Sequence, residues 1–384
     1  MPAIVVIGGG VIGTSVAHYL ACKGAKVTLL EKGDLASGSS GACDGLIFIQ
    51  SKKPGVHLQL ALASLELYEE LYKELPGHIE FKKSGGMVIF ETDAEFEAMC
   101  GYIQDQQATG IDVSLLNTNQ ALKKEPYLSK HIKGATFFPL DAQVNPIALT
   151  LGFALSAKQN GARIITRTIV KGIKIQNNRV SSVQTDQGDF NTDVIINAAG
   201  ANASEIAAMV GINIPITPRR GQIVVTQAVK PILKHCLISA KYIAAKYHPA
   251  LAKEKGEGIS MEQTQNGNLL LGSTREFAGF NKQNTPEGIT RIIEQTTRII
   301  PELKKLHVIR TFAGLRPYTP DSLPILGQVD HPKGFVMAAG HEGDGIALAP
   351  ITGKLIAQMI LTGKTDIPLD AFAVDRFQLQ KETT

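Results

Sequence analysis

The stretch Ile4-Val5-Val6-Ile7-Gly8-Gly9-Gly10-Val11-Ile12-Gly13 is followed by a second apolar run at residues 27–30 and then by Glu31. Strand, glycine-rich turn, helix, strand and acid in that order form a site for the ADP half of a dinucleotide. Gly8 permits the tight turn, Gly10 lets backbone approach a pyrophosphate, and Gly13 lets the helix pack on the strand, with Val11 and Ile12 in its first turn. The helix N-terminus offers N–H groups and the positive end of its dipole to the phosphates. Glu31 stands where a carboxylate accepts both ribose hydroxyls.

Outward from this fingerprint, 384 residues with 44% hydrophobic side chains are enough for two domains with full cores. Lys plus Arg exceed Asp plus Glu by 39 − 35 = 4, and there is no long basic block, so nucleic acid is not an expected partner. Lys52-Lys53 and Lys123-Lys124 read as solvated surface pairs. Cys22, Cys43, Cys100 and Cys236 lack the spacing of a zinc site or a disulfide framework, which predicts no metal and a reducing compartment. The first strand begins too close to Met1 for a cleavable leader, and no apolar run approaches a membrane span; a cytoplasmic protein is expected.

The glycine- and serine-rich residues 37–45 read as a loop shaped by what it binds. Helices are expected over 58–75, 93–108, 145–159, 204–210, 286–299 and 349–361, with Thr285 as an N-cap and Pro146 and Pro286 at first helical positions. Strand runs fall at 87–90, 164–165, 169–175, 180–185, 194–196, 222–226, 237–245, 258–263, 269–272 and 335–338. Asn197-Ala198-Ala199-Gly200 reads as a corner between strand and helix, where small residues permit close approach to a ligand or another backbone.

Four ordered segments carry a family likeness: the N-terminal fingerprint; residues 197–200 with Pro218-Arg219-Arg220-Gly221-Gln222; Ala313-Gly314-Leu315-Arg316-Pro317-Tyr318-Thr319-Pro320-Asp321; and residues 340–350. Over essentially its whole length the chain resembles the FAD-dependent amine and D-amino-acid oxidoreductases that include glycine oxidase and sarcosine oxidase. Within that family the likeness is greatest to flavoprotein subunits of proline and hydroxyproline dehydrogenases, opine oxidases and hydrogen cyanide synthase. The resemblance implies an α/β fold with an α+β second domain. A Rossmann-like FAD-binding domain (1–50, 145–218 and 312–384) would be interleaved with an antiparallel-sheet substrate domain (51–144 and 219–311). It further implies Gly8, Gly10 and Gly13 under the pyrophosphate, Glu31 and Lys32 at the ribose, and Ser39 and Ser40 as hydroxyls reaching phosphate. Ala42, Cys43, Asp44 and Gly45 would pass along the ring system, Val170 would meet adenine, and Ala199 and Gly200 would lie beside the nucleotide. Gly343, Asp344, Gly345 and Ile346 would face the pyrimidine edge of the flavin, with Glu342 and Asp344 turned outward or capping N–H groups. No cysteine occurs in 314–318, where some relatives attach flavin, so the FAD is expected to be non-covalent.

The resemblance makes Arg316 the anchor of a substrate carboxylate, a task suited to a rigid and permanently charged fork. The bland alternative is an ion pair with Asp321; for Arg275, a local pair with Glu276 is expected. Tyr242, Tyr247 and His341 are polar candidates beside the amine, whereas His248 reads as exposed. The implied reaction is hydride transfer from a carbon next to nitrogen to flavin N5, giving an imine, with positioning rather than an obligatory base supplying the rate. Expected partners are a small amino acid or secondary amine, and electron-transfer subunits or further copies of the chain. Two rivals stay open at this stage: a nicotinamide-dependent dehydrogenase and a non-catalytic flavin subunit of a larger redox assembly.

Overall fold

The computed structural model describes residues 1–247 and 258–377, which leaves His248 outside the described residues. The apolar β-branched run Ala3–Ile7 forms the centre of a six-stranded sheet, flanked by Lys26–Leu30 and Arg163–Ile165 on one side and by Val194–Asn197, Phe335–Ala339 and Ile325–Gln328 on the other. Its strands are parallel except Ile325–Gln328, which runs antiparallel to Phe335–Ala339. The helices Val11–Cys22, Pro146–Gln159 and Gly345–Thr362 share the core on one face, so the strands are apolar on both sides.

A second, eight-stranded sheet runs Val308–Tyr318, Thr217–Thr226, Leu269–Gly272, Ser260–Gln263, Cys236–Ser239, Gly86–Phe90, Gly134–Phe137 and Ser114–Asn117. It is antiparallel except where Cys236–Ser239 runs parallel to Gly86–Phe90. The long strands Thr217–Thr226 and Val308–Tyr318 cross the positions expected to divide the two parts of the chain, so their ends reach the six-stranded sheet's ligand-binding side. Gly314 permits that approach: a Cβ there would lie 2.1 Å from the Ala42 carbonyl oxygen.

Helices at Asp93–Ala108 and Pro286–Ile299 fall where the sequence pattern puts them, and Thr285 caps the latter by accepting from the Gly288 N–H at 3.2 Å. Two expectations change. The expected strand over 237–245 stops at Ser239, and Ala240–Tyr247 is helical. Three alanines at 240, 244 and 245 favour that helix, which buries Ala240 and Ile243 against Phe90 and Met99.

The last helix begins at Gly345 rather than 349, with Pro350 inside it. Pro350 cannot donate to the carbonyl four residues back. The carbonyl left without that donor, on Ile346, instead accepts from the buried Tyr68 hydroxyl at 2.5 Å. This helix is also long and apolar enough to cross a membrane, contrary to the expectation of no such run, yet most of it is buried inside the protein. It crosses Val11–Cys22 so closely that a Cβ on Gly353 would lie 2.2 Å from the Ser15 hydroxyl.

Tyr68→Phe leaves the Ile346 carbonyl buried without a donor, and should lower unfolding free energy by about 1–3 kcal/mol. Urea denaturation of the flavin-loaded protein measures it, and an unchanged midpoint would refute the substitute hydrogen bond.

Candidate active site

The ends of the strands Ala3–Ile7 and Lys26–Leu30 lead into a cavity of about 610 Å³ that reaches from Glu31, Thr168 and Val170 to Tyr242 and Arg316. Gly8 has φ +117°, and a Cβ on it would fall 2.4 Å from the Ala198 carbonyl oxygen. A Cβ on Gly13 would fall 1.9 Å from the Gly8 carbonyl oxygen, so Gly13 lies beneath the cavity rather than on its wall. At Gly10 a Cβ would meet only the Ser40 hydroxyl, at 3.1 Å. The demand for glycine there therefore comes from whatever enters the cavity. Glu31 is pinned at the edge by N–H groups of Gly9 (2.6 Å) and Gly33 (2.7 Å), and Lys32 reaches Asn202 at 2.9 Å.

The cavity wall contains Gly8, Gly10, Val11, Ile12, Glu31, Lys32, Ser39, Ser40, Ala42, Cys43, Asp44, Val170, Ala199 and Gly200, together with Tyr242, Arg316, His341, Gly343, Gly345 and Ile346. Gly45 lies behind it, its N–H donating to Glu262 at 2.9 Å. Both serine hydroxyls have protein partners: Ser39 donates to the Leu315 carbonyl and Ser40 accepts from the Val11 N–H. Burial, then Asp44, raises the Cys43 thiol, so it stays protonated. Thr168, Asn202, Phe280 and Lys282 also line the cavity; no local pattern in the sequence singles them out.

Arg316 sits on Val308–Tyr318 opposite Arg219, and its guanidinium donates to the Thr274 carbonyl at 3.0 Å and the Ser273 hydroxyl at 2.5 Å. Gly221 leaves the space it occupies, since a Cβ there would lie 2.1 Å from Nη1. Among the described residues Arg316 has no ion-pair partner; Asp321 pairs instead with Arg376 at 2.8 Å. Burial and neighbouring Arg275 lower its pKa. Arg275 does not pair with Glu276, which binds Arg220 and Gln222; its guanidinium lies 3.9 Å over the Tyr242 ring. A Cβ placed on Gly343 would stand 3.5 Å from the Tyr242 hydroxyl and 3.7 Å from Arg316 Nε. The tyrosine, the arginine and the loop before the last helix thus converge on one point. Tyr247 ends the helix that presents Tyr242.

His341 is buried, with Nε2 at 3.0 Å from the Thr352 hydroxyl, and burial lowers its pKa to about 3. Its imidazole is neutral at physiological pH. Glu342 accepts from Gly343 N–H and pairs with Arg219. Asp344 departs from expectation: it neither turns outward nor caps a helix N–H, but lies 5% exposed, with Lys52 at 2.8 Å and His57 at 3.2 Å. Lys52, read as a solvated surface residue, is 2% exposed. Its partner stands 292 positions away, so no local signal marks it. Lys52 offsets the negative charge that Asp344 brings to a helix N-terminus.

A dinucleotide therefore fits on evidence internal to the chain: a glycine turn shaped for close approach, a helix N-terminus, a pinned acid and an unpaired guanidinium at the far end. The family described as DAO, FAD dependent oxidoreductase, matches residues 3–359. The hydrogen cyanide synthase subunit HcnC of Pseudomonas protegens is 32% identical over 97% of this chain and 96% of its own. Glycine oxidase of Geobacillus kaustophilus is 28% identical over 97% and 96%. The crystal structure of L-proline dehydrogenase from P. horikoshii superposes with a TM-score of 0.90 at 31% identity, covering 98% of each chain.

Lys52→Met strands the Asp344 charge in the interior and should cost about 3–5 kcal/mol of stability. Adding Asp344→Asn should recover a large part of it. Urea unfolding of both variants checks this, and a single variant as stable as the parent would remove the pair from its supporting role.

Proposed function

The chain belongs to the FAD dependent oxidoreductase family, and from that premise we propose that it oxidises the CH–N bond of a small amino acid or secondary amine, proline-type or N-methyl compounds ahead of glycine. It is an FAD-binding enzyme, which sets aside a nicotinamide-dependent dehydrogenase. The observation that carries the substrate reading is Arg316: a guanidinium on the cavity wall, without an ion pair among the described residues, beside the Tyr242 hydroxyl.

Arg316 binds the substrate carboxylate through its fork, and Tyr242 meets the same ligand with its hydroxyl. Gly221 and Gly343 keep the space around the guanidinium clear of side chains. The bound FAD supplies the two-electron acceptor. The apolar wall around Leu46, Ile223 and Phe280 excludes water from the reacting carbon. Gly8, Gly10, Gly13, Glu31 and Lys32 hold the nucleotide end, and Gly343, Gly345 and Ile346 the flavin end; the absence of cysteine in 314–318 supports non-covalent attachment. The same reading assigns 1–50, 145–218 and 312–384 to the nucleotide part and 51–144 and 219–311 to the substrate part, a division supported by the two large sheets. Four free cysteines support a reducing, cytoplasmic setting. A heteromeric assembly is supported by relatives named as subunits.

Anaerobic addition of D-proline, hydroxyproline, sarcosine and glycine should bleach the oxidised flavin spectrum with at least one compound. Arg316→Ala should retain FAD and weaken capture of that compound about 10- to 100-fold, the worth of a charged hydrogen-bonded contact. No bleaching across the panel would favour a non-catalytic subunit, and unchanged capture by the variant would clear Arg316 of the anchoring role.

A further inference from the structure

The cavity wall that carries Arg316 also carries a carboxylate, Asp44, close enough for the two charges to act on each other. Asp44 Oδ2 accepts from the Ser260 hydroxyl at 2.8 Å. Two residues further along the same strand, and so on the same face, Glu262 lies 5% exposed. Its Oε1 accepts from the Gly45 N–H at 2.9 Å, and its buried Oε2 has no hydrogen-bond partner among the described residues. A buried carboxylate oxygen without a donor is costly unless the group carries a proton or a ligand supplies one.

We infer that Asp44, backed by Glu262, receives the substrate's amino group opposite Arg316 and accepts the ammonium proton before the C–H bond breaks. The inference rests on the amine-oxidising reading above. An amino acid enters as a zwitterion, and Arg316 and Asp44 present the complementary pair of charges across one cavity. An ammonium nitrogen has no free electron pair with which to form C=N, so the proton must leave first. The N–H bond breaks with its electron pair remaining on nitrogen, and an O–H bond forms on Asp44. The nitrogen pair is then free to form C=N as the C–H bond breaks, a two-electron oxidation for which bound FAD would be the acceptor.

The surroundings favour a proton on Glu262. Burial, then Asp44, pushes Glu262 up to about 8. The other ionisable groups acting on the two acids are Arg316, Cys43, Cys236 and, more indirectly, Asp141. Both thiols are raised by burial and remain neutral, and burial raises Asp141 to about 7. Arg316 is thus the cation that balances Asp44 before substrate arrives, and the substrate carboxylate then competes for it. With a proton on Glu262, the Asp44 carboxylate is the site that takes the amine's proton, and none need pass to solvent.

The test uses the holoenzyme with two unreactive probes: 2-methylproline, which has an ammonium but no α-hydrogen, and cyclopentanecarboxylate, which has no amine. Binding is followed by perturbation of the flavin spectrum, and proton exchange by an indicator in weakly buffered solution below pH 8. The parent should prefer 2-methylproline by roughly tenfold or more, the worth of one charged contact, and exchange no net proton with solvent on binding it. Asp44→Asn should bring the preference near unity, and Glu262→Gln, the neutral isostere of the protonated acid, should keep it. If Asp44→Asn does not retain FAD, Ser260→Ala, which keeps both carboxyl groups, should show a smaller fall in preference. A parent that binds both probes equally or neither, or an Asp44→Asn protein that loses affinity for both alike, overturns the inference. Bleaching by the amine panel with an unchanged preference in Asp44→Asn overturns this inference alone; no bleaching overturns the reading on which it rests.

Discussion

A permanent positive charge on a cavity wall, with no carboxylate within ion-pair distance among the described residues, is the constraint around which the active site is arranged. Arg316 cannot shed its proton, and burial makes its charge expensive. Two hydrogen bonds to Thr274 and Ser273 orient the guanidinium without neutralising it. Asp44 acts on that charge from the same cavity wall, and an anionic ligand would compensate it further. The register of Thr217–Thr226 against Val308–Tyr318 makes this possible, because it places Gly221 where any side chain would occupy the guanidinium's space.

The last helix brings a second electrostatic problem. Its N-terminus lends positive potential to the flavin end of the cavity, but Asp344 sits at that terminus. Lys52 and His57 draw the carboxylate away from the helix N–H groups and balance its charge. The turn that carries Lys52 is held in turn by Asp141, which accepts from the Ile49 N–H and the Gln50 side chain. Three separated parts of the chain thereby fix the electrostatics of one helix end.

Two sheets meet at the cavity, and close backbone contacts join them. Gly314 passes the Ala42 carbonyl with no room for a side chain, while Gly45 donates to Glu262 across the same junction. The loop at residues 37–45 is therefore shaped from both sides, by Val11 and Leu315 through its serines and by Ser260 and Glu262 through Asp44 and Gly45. This is why it needs no stable structure of its own.

Much was legible in the chain itself. A glycine fingerprint with its acid, helices with Pro146 and Pro286 at first positions and a cap at Thr285, and four ordered motifs follow from local sterics and periodicity, which short stretches of sequence contain. The nucleotide turn and the place of Arg316 in a motif belong to that class. Other features came only with tertiary structure. Lys52 reads locally as a surface residue, and Ala240–Tyr247 as the continuation of a strand. Pro350 stands inside the last helix because the hydrogen bond it cannot make is replaced by one from Tyr68, 278 positions from the carbonyl it serves. Asp44 and Glu262 meet across 218 positions, as the residue numbers give. Burial, ion pairing and protonation depend on which groups lie near one another in space, and chain distance carries no record of that.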